Sequence, residues 1–191
     1  LALARIDARG NPVEIRRIPL PLRGEGSGRR RAIIGDAAAE AVDAARRHGV
    51  PVVLEELDFS EKKRALGDKA EIDGSRRQKL YSRMLSSFAY AAVSTAISRR
   101  AERLGVAVER VNPAWTSLIG AVNYSRRYGT SVHQAAAIAI ARRALGFSER
   151  VNYVHGLRGR RNALPTRRES RRHVWRQWSG VAADQDRKSV V

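Results

Sequence analysis

Apolar and polar residues alternate through LALARID (Leu1 to Asp7) and again through PVEIRRIPL (Pro12 to Leu20), with Ala8-Arg9-Gly10-Asn11 between them. Period-two alternation around a Gly/Asn turn predicts an antiparallel β-hairpin, and Asp7 ahead of Gly10-Asn11 fits turn chemistry rather than catalysis. PLRGEGSGRR, which starts at Pro21, reads as a loop. Ile34, Ala37, Ala38, Ala41, Val42 and Ala45 then recur at helical spacing and predict a helix from about Arg31 to His48, ended by Gly49. VPVVLEE (Val50 to Glu56) has the unbroken apolar run of a strand buried on both faces, with two acids at its end. After a polar stretch from Asp58 to Ser75, Leu80, Met84, Phe88, Ala92 and Ala96 predict the longest helix, running to about Leu104 and capped by Gly105. Val106 to Val111 reads as a short strand, and Val111 to Gly129 as a loop carrying Trp115 and Tyr124. Ser131-Val132-His133-Gln134 fits a capping box that opens a final helix, whose inward face is expected to hold His133, Ala136, Ala137, Ile140 and Ala144. On that reading His133 points at the sheet.

Strand, strand, helix, strand, helix, strand, helix is an α/β order in which an antiparallel hairpin joins parallel strands. It matches the ribonuclease H-like fold after that fold's first strand: a mixed sheet flanked by helices, with the first strand missing from this chain. The 191 residues and 43% hydrophobic content suit one domain plus an appendage. The expected division is residues 1–147 as the α/β domain and 148–191 as a basic tail, possible disorder included. The apolar runs fall short of the ~20 residues that cross a bilayer, so no membrane association is expected. No Cys is present, which excludes disulfide scaffolds, Cys-ligated zinc and thiol catalysis. No signal peptide is visible, so a cytoplasmic location is expected, and a start at Leu1 reads as a fragment or processed piece.

Charge changes the picture most. Lys and Arg number 37 against 19 Asp and Glu, a net +18, which points to a polyanion partner, because neutralised phosphates release counterions. The bland alternative is a protein kept soluble by charge. Arg158, Arg160, Arg161, Arg167, Arg168, Arg171, Arg172 and Arg176 crowd the tail with a single Glu among them. These arginines could track a phosphate backbone while Trp175 and Trp178 stack on unpaired bases.

In a ribonuclease H-like fold, carboxylates at one sheet edge hold two divalent ions that activate water and stabilise the leaving oxygen of a phosphodiester. Glu55 occupies the fourth-strand position, and Glu56 faces the other way by strand alternation. Read alone, both are as well explained as strand-end residues in solvent. His133 stands where the last helix would supply its acid and could ligate a metal as neutral imidazole, although histidine favours softer metals than Mg²⁺. A histidine hydrogen-bonded to backbone is the alternative.

VVLEELDF (Val52 to Phe59), RRQKLYSRMLSSFAYAAVSTAISRRAERLGVAVERVNPAWTS (Arg76 to Ser117) and YGTSVHQAAAIAIARRALGF (Tyr128 to Phe147) resemble, in order and spacing, the RuvC-like nuclease domain of TnpB/OrfB transposon proteins, relatives of the type V CRISPR effectors. The likeness covers roughly Leu1 to Glu149. It implies an endonuclease active in DNA recombination, with Mg²⁺ or Mn²⁺ as cofactor, DNA as substrate and a guide RNA as further partner. It gives Glu55 the place of the second catalytic acid and puts His133 where a D-x-N-A-A block has its acid. The family's first catalytic Asp precedes the hairpin, and its four-cysteine zinc ribbon is replaced by Leu118 to Arg127, so no zinc ribbon is expected. With catalytic and metal roles left to Glu55 and His133 alone, cleavage is expected to be impaired. The rival reading is a non-catalytic DNA- or RNA-binding protein that keeps the fold; a ribosome-associated basic protein is a third.

Overall fold

The computed structural model describes residues 1–57, 74–150, 175 and 177–183. Its elements are β1 (Ala2–Ile6), β2 (Pro12–Arg17), α1 (Ser27–His48), β3 (Val52–Glu55), α2 (Gly74–Leu104), β4 (Val108–Val111), α3 (Thr116–Ile119), a π-helical turn (Gly120–Ser125), α4 (Arg126–Tyr128) and α5 (Val132–Ala144). Helices and strands mix as an α/β order requires. The chain divides into two compact units, Leu1–Ile18 with Pro113–Val191, and Pro19–Asn112. Its strands pair as two separate two-stranded sheets, so among the described residues there is no single mixed sheet of the kind expected.

In the first unit β1 and β2 form the expected hairpin, with Ala2 opposite Arg17 and a register shift between Arg5 and Ile6. The Asp7 carboxylate accepts the backbone N–H groups of Asn11 (2.8 Å) and Arg9 (2.9 Å), while Gly10, at φ 81°, completes the reversal. The donors, that of Asn11 first, hold the Asp7 carboxyl below its usual range. α5 starts with the capping box its sequence predicts: Ser131 Oγ accepts the Gln134 N–H, and Gln134 Oε1 accepts the Ser131 N–H. The face α5 buries differs from the expected one. Ala135, Ala136, Ile138, Ala139 and Arg142 are buried, whereas Ala137, Ile140 and Ala144 are only half-buried and His133 is exposed. Apolar residues occupy every position from Ala135 to Ala141, so their periodicity does not select a face.

The stretch Val111 to Gly129, read as a loop, is largely helical. Its π-turn puts an extra residue into the helical repeat, and apolar positions on either side of it fall out of 3.6-residue phase. Gly120 fits here because a Cβ would lie 2.5 Å from the Ala136 backbone nitrogen, so the turn and α5 meet backbone to backbone. Ile119, Tyr124, Ala135, Ile138, Ala139 and Trp178 make the core, with Ile6 and Ile15 of the hairpin packed against it.

In the second unit α1 begins at Ser27 rather than near Arg31. Gly26 precedes it without a side-chain cap, which leaves its start without a sequence signal. α1 and α2 end alike. Gly49 (φ 62°) donates to Arg46 O and Val50 to Ala45 O, while Gly105 (φ 65°) donates to Glu102 O and Val106 to Ala101 O. This paired pattern needs a left-handed residue, which glycine adopts without strain, and it turns each helix directly into a strand. β3 and β4 then pair in parallel, with Val52 opposite Val108 and Glu55 opposite Val111. β3 is half-buried along its length rather than buried on both faces as expected, since among the described residues its sheet has only two strands. α1 buries Ala37, Ala38, Ala41, Val42 and Ala45, and α2 buries Val93, Ser94, Ile97 and Ala101.

Candidate nucleic-acid interface

Glu55 closes β3 and is half-buried, while Glu56 beside it is exposed. The Glu55 carbonyl accepts a hydrogen bond from the Tyr90 hydroxyl at 2.9 Å. Burial, and then the Glu55 carboxylate, hold the Tyr90 phenol above its ordinary value, so negative charge at the end of β3 is felt by its neighbour. His133 belongs to the other unit, in the exposed first turn of α5 and off the buried stripe, so it does not point inward as expected. Among the described residues no group of three or more His, Asp and Glu could hold a metal ion. Holding two divalent ions a few ångströms apart takes several carboxylates. The described residues therefore do not fit a two-ion centre.

Arg158, Arg160, Arg161, Arg167, Arg168, Arg171, Arg172 and Arg176 lie outside the described residues. The two tail tryptophans separate sharply. Trp175 is exposed, with the Arg143 guanidinium 5.9 Å from its ring centroid, so its face lies at a basic surface. Trp178 is 1% exposed, and its indole N–H donates to the Glu149 carbonyl at 2.8 Å, which excludes the base-stacking role read for it.

Trp178 belongs to a network that local sequence patterns do not reveal. The Glu149 carboxylate accepts from Arg142 Nε on one oxygen (2.5 Å) and from the Tyr124 hydroxyl on the other (2.6 Å), while Arg142 Nη1 donates to the Gly10 carbonyl. Burial alone would lower the Arg142 value, but the facing Glu149 carboxylate and Tyr124 more than offset this and hold it raised. Burial, reinforced by Glu149, pushes the Tyr124 phenol far up. These groups serve as a polar keystone tying the hairpin turn, the π-turn and α5 together.

Much of the basic charge outside that network faces solvent. Arg29, Arg30 and Arg31 are exposed at the start of α1, whose first turn has no acid, an arrangement the helix dipole opposes. Arg99 and Arg103 are exposed on α2, and Arg126 and Arg127 on α4. The described residues include no helix long and apolar enough to cross a membrane. The chain matches no protein-family model, no curated protein and no solved structure.

Proposed function

We propose that this chain is a nucleic-acid-binding protein derived from the RuvC-like nuclease domains of TnpB/OrfB transposon proteins, with phosphate binding as its principal activity. The observation that carries the reading is the surplus of 18 positive charges, displayed on exposed arginines of both units. Such a surplus favours a polyanion through counterion release. The block order around Glu55 and α5 supports the family assignment and, with it, the ribonuclease H-like architecture. DNA is the expected ligand, with a guide RNA as the second nucleic acid the resemblance implies.

A second reading, phosphodiester hydrolysis aided by Mg²⁺ or Mn²⁺, rests on Glu55 at the end of a strand in the resembling block. One experiment separates the two. The full chain is mixed with a fluorescein-labelled single-stranded DNA and followed by anisotropy and by denaturing gel, with each metal and with chelator. Binding that survives chelation, with the oligonucleotide intact, is the predicted result. Metal-dependent cutting abolished by Glu55→Ala establishes the nuclease reading instead, and absence of binding at low salt refutes both.

A further inference from the structure

The Pro19–Asn112 unit has a cleft of about 350 Å³ between α1 and α2. Gly35 and Ala38 line it from α1 with Asp36 beside them, and Arg99, Arg100 and Arg103 line it from α2. The three arginines differ in what they already hold. Arg100 Nη2 donates to both oxygens of the Asp43 carboxylate at 2.9 Å, so its charge is neutralised within the unit. Arg99 and Arg103 are exposed, stand one helical turn apart, and make no hydrogen bond or ion pair among the described residues. Two like charges at that spacing repel, so an anion bound between them relieves the repulsion. The opposite wall is low: a Cβ on Gly35 would meet nothing within 4 Å, so packing does not demand glycine there, and the cleft floor stays near backbone level. Arg31, also exposed, precedes Gly35 by one turn of α1 and prolongs the basic edge.

We propose that this cleft seats the sugar–phosphate backbone of a nucleic-acid strand, with Arg99 and Arg103 bonded to phosphate oxygens. This deepens the nucleic-acid reading above and rests on it. The chemistry favours phosphate because the guanidinium fork donates two parallel hydrogen bonds to such an anion. Among the described residues the cleft has no aromatic or large aliphatic wall of the kind that holds a small organic ligand. Asp36 is the opposing feature. It lines the same cleft, and its negative charge repels phosphate and lowers the affinity of the seat.

The test uses the full chain and anisotropy of a labelled single-stranded oligonucleotide between about 50 and 300 mM salt. Arg99→Gln with Arg103→Gln is compared with Arg126→Gln with Arg127→Gln, a pair from the other unit that removes the same charge. Loss of two phosphate contacts should reduce the salt slope by about 1.4, at roughly 0.7 per contact, a larger fall than the control pair produces. Asp36→Asn should tighten binding about two-fold or more by removing a nearby like charge, a gain that unfolding cannot produce. A parent slope in the Arg99/Arg103 variant, an equal fall in both pairs, or no gain from Asp36→Asn overturns the seat while leaving the nucleic-acid reading standing. Failure of the unsubstituted chain to bind at 50 mM salt overturns that reading and the seat together. Competition by polyglutamate as strong as by DNA of equal charge also overturns the phosphate assignment.

Discussion

The Arg142–Glu149 pair gives the most demanding test of how the hairpin unit is held. Their side chains are 2% and 4% exposed, and the carboxylate serves Arg142 and Tyr124 at once. Glu149→Gln leaves a buried guanidinium without its counter-charge, a change that costs about 3–5 kcal/mol in such surroundings. Arg142→Met removes the cation and frees the Gly10 carbonyl, at a cost of about 3 kcal/mol by the same reasoning. In the double variant no unpaired charge remains. The two changes should therefore fall short of additivity by about 2–3 kcal/mol, near the top of the range for contacting residues. All three tryptophans, Trp115, Trp175 and Trp178, belong to this unit, so urea titration followed by tryptophan emission reports its unfolding alone. A coupling below about 1 kcal/mol, the range of exposed ion pairs, would refute the buried network.

Three further outcomes are expected. Gly120→Ala should destabilise the same unit by about 1–3 kcal/mol in urea titration despite alanine's better helix propensity, because the new methyl meets the α5 backbone; a stabilised variant would contradict the close approach. Ser131→Ala should cost about 1 kcal/mol through loss of the capping box, and unchanged thermal unfolding would contradict the cap. The Tyr124 phenol is raised in the folded state above its ordinary 10.0, first by burial and then by Glu149. The folded state thus holds a proton that the unfolded state releases. Stability should be intact below pH 10 and fall by up to about 1.4 kcal/mol per pH unit above it, and Tyr124→Phe should remove that added slope in urea titrations at alkaline pH.

Elements written in local chemistry were legible in advance. Asp7 and Gly10 specify the hairpin turn, Ser131 and Gln134 start α5, and Gly49 and Gly105 stop α1 and α2, because each feature is set by residues within a few positions of one another. What the sequence left unreadable depends on distance or on broken periodicity. The π-turn at Gly120–Ser125 disrupts the repeat by which helices are recognised, so Val111 to Gly129 reads as a loop in sequence. In α5 the run from Ala135 to Ala141 suits any face, so the pattern points His133 inward although it lies at the surface. Arg142 reads as a surface residue in ARRALGF; its burial follows from Glu149 and from Gly10, 132 positions away. For the candidate interface, the charge surplus was plain in composition, but the pairing of Arg100 with Asp43 that leaves Arg99 and Arg103 available emerges only from helix packing.

Phosphate recognition is tested most directly by the salt dependence of binding. Affinity of the full chain for a 20-nucleotide single-stranded DNA, measured by anisotropy from about 50 to 400 mM salt, should give a straight line of log K against log salt. Three or more phosphate contacts require a slope of about −2 or steeper, at roughly −0.7 per contact. A slope near zero, or no binding at 50 mM salt from a chain with 18 surplus positive charges, would contradict the claim that phosphate recognition is its principal activity.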